Sequence, residues 1–143
     1  MNDTTDSDLT VAGVALRFGI VGLTLGTAYI HSTLGGLLFT LNATGYAVAA
    51  IAMIVPIAFA IRFRWPVRLG LMGYALTAIV MWAIQGPYYS TAYVAKAIEV
   101  ALIVLLVVDF LRADGNPVSV VRREVALGLS KIGVRRAPGA AAA

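Results

Sequence analysis

Long apolar runs separated by short polar connections set the pattern of this chain. Residues 17–34, 43–61, 69–84 and 92–111 are apolar almost throughout. Each approaches the ~20 residues that a helix needs to cross a bilayer, and tilt or a thin membrane covers the difference. The pattern predicts an all-α, four-helix membrane bundle over residues 17–112, preceded by a polar N-terminus and interfacial lead-in over 1–16. Beyond it the chain turns at Ala113-Asp114-Gly115-Asn116-Pro117. Val118, Val121, Val125, Leu129 and Ile132 then recur at helical spacing, with Arg122, Arg123 and Lys131 elsewhere. This predicts a basic amphipathic helix over 113–134 lying on the inner leaflet. Anionic lipid would draw it in by about 1 kcal/mol per basic group near the surface. Residues 135–143, which end in an alanine run, are expected to be disordered.

Composition narrows the class. Of 143 residues, 60% are hydrophobic and 13% charged, against about 25% charged in soluble domains. A soluble core of this length could not hide so much apolar surface, so one small membrane domain with lipid as its solvent is expected. The chain has no cysteine, which excludes disulfides, thiolate metal sites and cysteine nucleophiles. Its net charge of +4 is no nucleic-acid signal, because the basic residues sit in loops and the tail. The first eight residues are polar and acidic, unlike the basic start of a secretory signal, so the first span is expected to remain in the mature protein.

Those basic residues report orientation. Arg62, Arg64 and Arg68 crowd the connection between spans two and three, and Arg112, Arg122, Arg123, Lys131, Arg135 and Arg136 follow span four. The other two connections carry no lysine or arginine. The positive-inside rule then places both termini in the cytoplasm of an inner-membrane protein. Arg17-Phe18-Gly19-Ile20-Val21-Gly22 and Arg68-Leu69-Gly70-Leu71-Met72-Gly73 share one pattern, as two helical hairpins in parallel repeat would; chance recurrence of such strings is the alternative. Gly19, Gly22 and Gly26, with Gly70 and Gly73, are expected to pack helices closely, within the chain or at a homodimer seam. Pro56 is expected to kink span two.

Candidate chemistry gathers in the outer half of span four. Tyr93 and Lys96 share a helix face, and Glu99 follows Lys96 at i+3, within ion-pair reach. Ionisable groups at this depth are functional suspects, and glutamate is too short to snorkel out as lysine can. Three readings stay open: a structural pair, a pocket for a polar head or small solute, and a proton carrier at Glu99. His31, the only histidine, ends span one near Gln85, so a polar outer pocket of His31, Gln85, Tyr93, Lys96 and Glu99 is expected; an interfacial, solvated histidine is the other reading. One histidine cannot supply bis-histidine haem ligation within one chain. Asn42-Ala43-Thr44 matches the glycosylation sequon but adjoins span two, where a helix cap fits better. Asp109 is expected to anchor with Arg112. Trp65 on one side, and Tyr46, Trp82, Tyr88 and Tyr89 on the other, fit aromatic belts. No phosphate-binding, metalloprotease or nucleophile-elbow motif occurs, so no catalytic residue, metal or cofactor is assigned.

The layout resembles the DoxX-like small four-helix bacterial membrane proteins in length, four spans, an opening Arg17, and a glycine-rich first helix ending in His31. That group tends to have lysine in the His31 region, a point of departure. The resemblance implies a small accessory membrane protein, often linked to redox partners, and assigns no catalytic residue. The expectation is therefore a non-catalytic accessory subunit or binding protein, in a homo-oligomer or larger complex. A small homo-oligomeric proton-coupled transporter using Glu99 is the alternative.

Overall fold

Five helices dominate the computed structural model, which describes residues 11–55 and 64–131. They are α1 Val11–Thr33, α2 Leu37–Ile54, α3 Arg64–Gln85, α4 Ser90–Ala113 and α5 Pro117–Lys131. Expectations for residues 1–10, Pro56, Arg62 and 132–143 lie outside the described residues. Helices α1, α2 and α3 are long and apolar enough to cross a membrane. Helix α4 is as long, at 24 residues, but carries Lys96, Glu99, Asp109 and Arg112. The exterior is apolar: Leu37 is 76% exposed and Phe18 74%, while His31, Arg68, Glu99 and Asp109 are buried. Soluble domains arrange these classes the other way round. This is a helical, multi-pass membrane protein.

Helix limits differ from the apolar runs for local reasons. No breaker separates residues 11–16 from 17–33, so the lead-in and the first span form one helix and Arg17 lies inside it. Gly35 and Gly36, with φ of 71° and 87°, take a conformation that side-chain-bearing residues rarely adopt. They make the α1–α2 connection tight enough for α2 to begin at Leu37. Asn42 is therefore interior to α2 and caps nothing; Gly36 holds the N-cap position. At the far end Val55 is extended (φ −60°, ψ 120°), the conformation a following proline favours. The expected kink at Pro56 is preceded by a helix end. After α4, the amides of Asp114 and Gly115 donate to the Phe110 carbonyl at 2.8 and 3.2 Å, and Gly115 takes φ 78°, closing the helix with a left-handed residue. The Asn116 side chain then accepts from the Val118 amide at 2.9 Å, starting α5 with Pro117 in its first turn.

Helix α1 packs on α2 and α4, and α3 packs on α4 and α2, closing a ring. Its core includes Ile20, Tyr46, Met53, Leu71, Ala75, Leu102 and Leu106. The inward residues of α4 are Ala92, Ala95, Glu99, Leu102, Leu106 and Asp109, spaced three and four apart as a helix stripe requires. Helix α1 turns Ile20, Thr24, Thr27 and His31 inward. That polar stripe, rather than the glycines, is its packing face.

The expectation that these glycines pack helices within the chain is corrected accordingly. A Cβ added at Gly19 would meet Leu105 Cδ1 at 3.1 Å, but one at Gly22, Gly26, Gly70 or Gly73 meets nothing within 4 Å. The paired arginine-glycine strings thus sit in unlike packing environments. The close approach lies instead at Gly45, where an added Cβ would fall 2.8 Å from the Tyr74 hydroxyl and 3.1 Å from its ring. That ring is held edge-on against Tyr46, with centroids 4.9 Å apart. Gly45→Ala should destabilise by about 1 kcal/mol or more through overpacking. Gly22→Ala should be neutral or stabilise by up to about 1 kcal/mol through helix propensity. Thermal unfolding in detergent, followed by circular dichroism, checks both signs.

Candidate functional site

Side chains from α1, α2 and α4 meet at one carboxylate, and α3 joins them through a bond to Lys96. Glu99 on α4 is fully buried. Its Oε2 accepts from Lys96 Nζ at 2.7 Å, the i+3 partner expected from spacing. Its Oε1 accepts from the Tyr46 hydroxyl of α2 at 3.3 Å and faces His31 Nε2 of α1 at 3.7 Å. Lys96 Nζ also donates to the Ala78 carbonyl of α3 at 3.2 Å. A buried ion is tolerated when paired and hydrogen-bonded, and here both conditions hold. The His31 ring is fixed on its other side by a 2.9 Å contact between Nδ1 and the Thr27 carbonyl, an i−4 bond within α1.

Above this cluster, at the end of the bundle that carries the α1–α2 and α3–α4 connections, lies a cavity of about 320 Å³. His31 and Lys96 line it, with Asn42 and Gln85 as further polar groups and Phe39, Tyr74 and Trp82 among its aromatic walls. Glu99 does not line it; it sits behind the two basic side chains. Small residues of α4, Ala92 and Ala95, face the space and leave it open where larger side chains would fill it. A predominantly apolar pocket with a few placed polar groups is the usual form of a small-molecule site.

Of the residues expected in an outer pocket, His31, Gln85 and Lys96 meet at the cavity and Glu99 supports them from beneath. Tyr93 does not join them. It is exposed and packs edge-on against Trp82, with centroids 5.1 Å apart, so the shared face with Lys96 splits between surface and interior. His31 is buried, not interfacial. Tyr46, expected in an aromatic belt, is fully buried and bonded to Glu99. A signal for this exists in α2: Tyr46, Ala50 and Met53 fall at i, i+4 and i+7 and form its buried stripe. Thr24 and Thr27 also escaped the sequence reading, although their spacing with His31 marks one face. Trp82 Nε1 donates to the Pro87 carbonyl at 2.7 Å, which ties the α3–α4 connection over the cavity.

A second ionic cluster lies at the opposite end. Buried Arg68 on α3 donates from Nε to Asp109 Oδ2 and from its NH1 group to Asp114 Oδ2, both at 2.6 Å. Asp109 therefore pairs across helices with Arg68, beyond the local Arg112 expected from its i+3 spacing. Arg68, read from sequence as a topology marker, is a structural cation. Among the described residues, no group of three or more histidine, cysteine, aspartate or glutamate side chains could hold a metal. No protein-family model, curated protein or solved structure matches this chain.

Proposed function

We propose that the chain is a four-span inner-membrane protein, with both termini cytoplasmic, that binds a small molecule in the cavity at its outer face. It acts there as a non-catalytic binding protein or accessory subunit. The observation that carries this reading is the cavity, walled by apolar and aromatic groups and floored by His31 and Lys96. The bonded state of Lys96 and Glu99 supports α4 as the fourth span, since intramembrane charges face the bundle interior and pair. The arginine-free connections at the cavity end support its outward orientation. Exposed Val118, Val121 and Val125 of α5, beside Arg122 and Arg123, support its lying on anionic lipid. The resemblance to DoxX-like proteins is one of layout and makes a redox-active protein the candidate partner in a larger complex. Binding fits better than proton transport through the chain, because fully buried Ile20, Leu102 and Leu106 form an apolar layer beneath Glu99.

Native mass spectrometry of protein extracted gently from its own membrane tests the reading. The wild type should carry a small-molecule adduct, and Ala92→Phe, which places a ring in the cavity, should lose it while still melting cooperatively. An adduct retained by a folded Ala92→Phe protein would sink the cavity as the binding site. A mass that includes a second polypeptide would assign the accessory-subunit form of the reading.

A further inference from the structure

The hydrogen inventory of the floor says what kind of head group the cavity takes. The Thr27 carbonyl can only accept, so His31 Nδ1 carries the hydrogen in the 2.9 Å contact. A neutral His31 then turns a bare Nε2 lone pair toward Glu99 Oε1 at 3.7 Å, acceptor facing acceptor. One more proton, on His31 Nε2, would turn this into an imidazolium facing the carboxylate at ion-pair distance. Without it, Lys96 and Glu99 cancel and the floor is neutral; with it, the floor carries one positive charge. The cavity sees that charge, since His31 and Lys96 line it and no acidic residue does. Lys96 has three N–H donors, of which the Ala78 carbonyl and Glu99 take two. The third is available to a ligand.

We infer that the cavity binds the carboxylate of a small, mostly apolar acid, and that each anion enters together with one proton, carried on His31 Nε2 opposite the Glu99 carboxylate. This rests on the cavity being a binding site. One anion and one proton enter, no bond is made or broken in the ligand, and the buried charge stays balanced, as a low-dielectric interior demands. The titratable and charged groups around His31 are Tyr46 from α2, Tyr74 from α3 across the cavity, and Lys96 and Glu99 from α4. At about 320 Å³ the space lies at the small end of ligand pockets (about 300–1,000 Å³), which favours a free acid over a two-chain lipid.

Calorimetry of the purified full chain in detergent at pH 7.5, in two buffers of different ionisation enthalpy, reads ligand and proton binding together. The probes are 2-naphthoate and its neutral analogue 2-naphthamide. Naphthoate should bind with uptake of close to one proton and more tightly at lower pH. Naphthamide should bind, if at all, with none. His31→Gln and Glu99→Gln each remove one end of the proton site. Either one that keeps a cooperative melt should abolish the uptake and weaken naphthoate at least tenfold. Naphthoate binding without proton uptake, or uptake unchanged in a folded variant, overturns the proton linkage and leaves the binding site standing. Naphthamide binding with no naphthoate binding overturns the acid. No binding of either probe, alongside an adduct lost in Ala92→Phe, also overturns the acid and spares the cavity. Without that adduct, both readings fall.

Discussion

Arg68→Ala is expected to lower the unfolding free energy by about 3–5 kcal/mol. Arg68 is buried and holds two carboxylates, Asp109 and Asp114, at 2.6 Å each. It thereby ties the first turns of α3 to the end of α4 and to the turn that launches α5. Removing it strands the Asp109 carboxylate in the interior. Arg68→Lys should recover only part of the loss, because a single ammonium cannot reproduce the two-armed geometry of a guanidinium. The double variant Arg68→Leu/Asp109→Leu should recover more, since replacing a buried pair by apolar groups of similar volume is often close to neutral. Equilibrium unfolding in detergent gives all three values. A loss for Arg68→Ala within the ~0.5 kcal/mol typical of surface changes would show that the cluster holds nothing together.

At the other ionic layer, Lys96→Met should cost a comparable ~3–5 kcal/mol. Without Lys96, buried Glu99 retains the Tyr46 hydroxyl at 3.3 Å and His31 at 3.7 Å. Glu99→Gln should lower stability on its own, and adding it to Lys96→Met should restore part of the loss, because the pair is then removed as a unit. A double variant no more stable than Lys96→Met alone would show that the two charges do not support one another.

Much of this architecture is legible in the sequence because lipid imposes simple rules. The apolar runs locate the four packed helices, and the Lys96–Glu99 spacing announces a bond that the structure contains. Helix ends are less legible, since they turn on single residues: Gly35 and Gly36 allow an early start to α2, and Pro56 stops it at Ile54. The burial of Tyr46 was hidden because a tyrosine near the start of a span reads as interfacial, whereas its hydroxyl bonds to Glu99. The role of Arg68 was hidden for a related reason. An arginine at a predicted helix start reads as a topology marker, and only the return of α4, 41 residues later, brings Asp109 to it. The glycine strings misled in the opposite sense. Small residues permit a close approach without compelling one, and of the glycines in those strings only Gly19 receives it.

The separation of the two ionic layers has an electrical consequence. Asp109 follows Glu99 by ten residues on α4, which is about 15 Å along the axis. Between these levels none of the four packed helices places an aspartate, glutamate, lysine, arginine or histidine. With a bilayer around it, this dry middle acts as an insulator, and the transmembrane potential falls mainly across it. A charge carried from one layer to the other would traverse most of the field, at up to about 2.3 kcal/mol per 100 mV. Ions that arrive and leave through the cavity mouth cross very little of it. If the cavity faces outward and binds a ligand as proposed, its occupancy would be insulated from membrane voltage and would follow the composition of the outer solution.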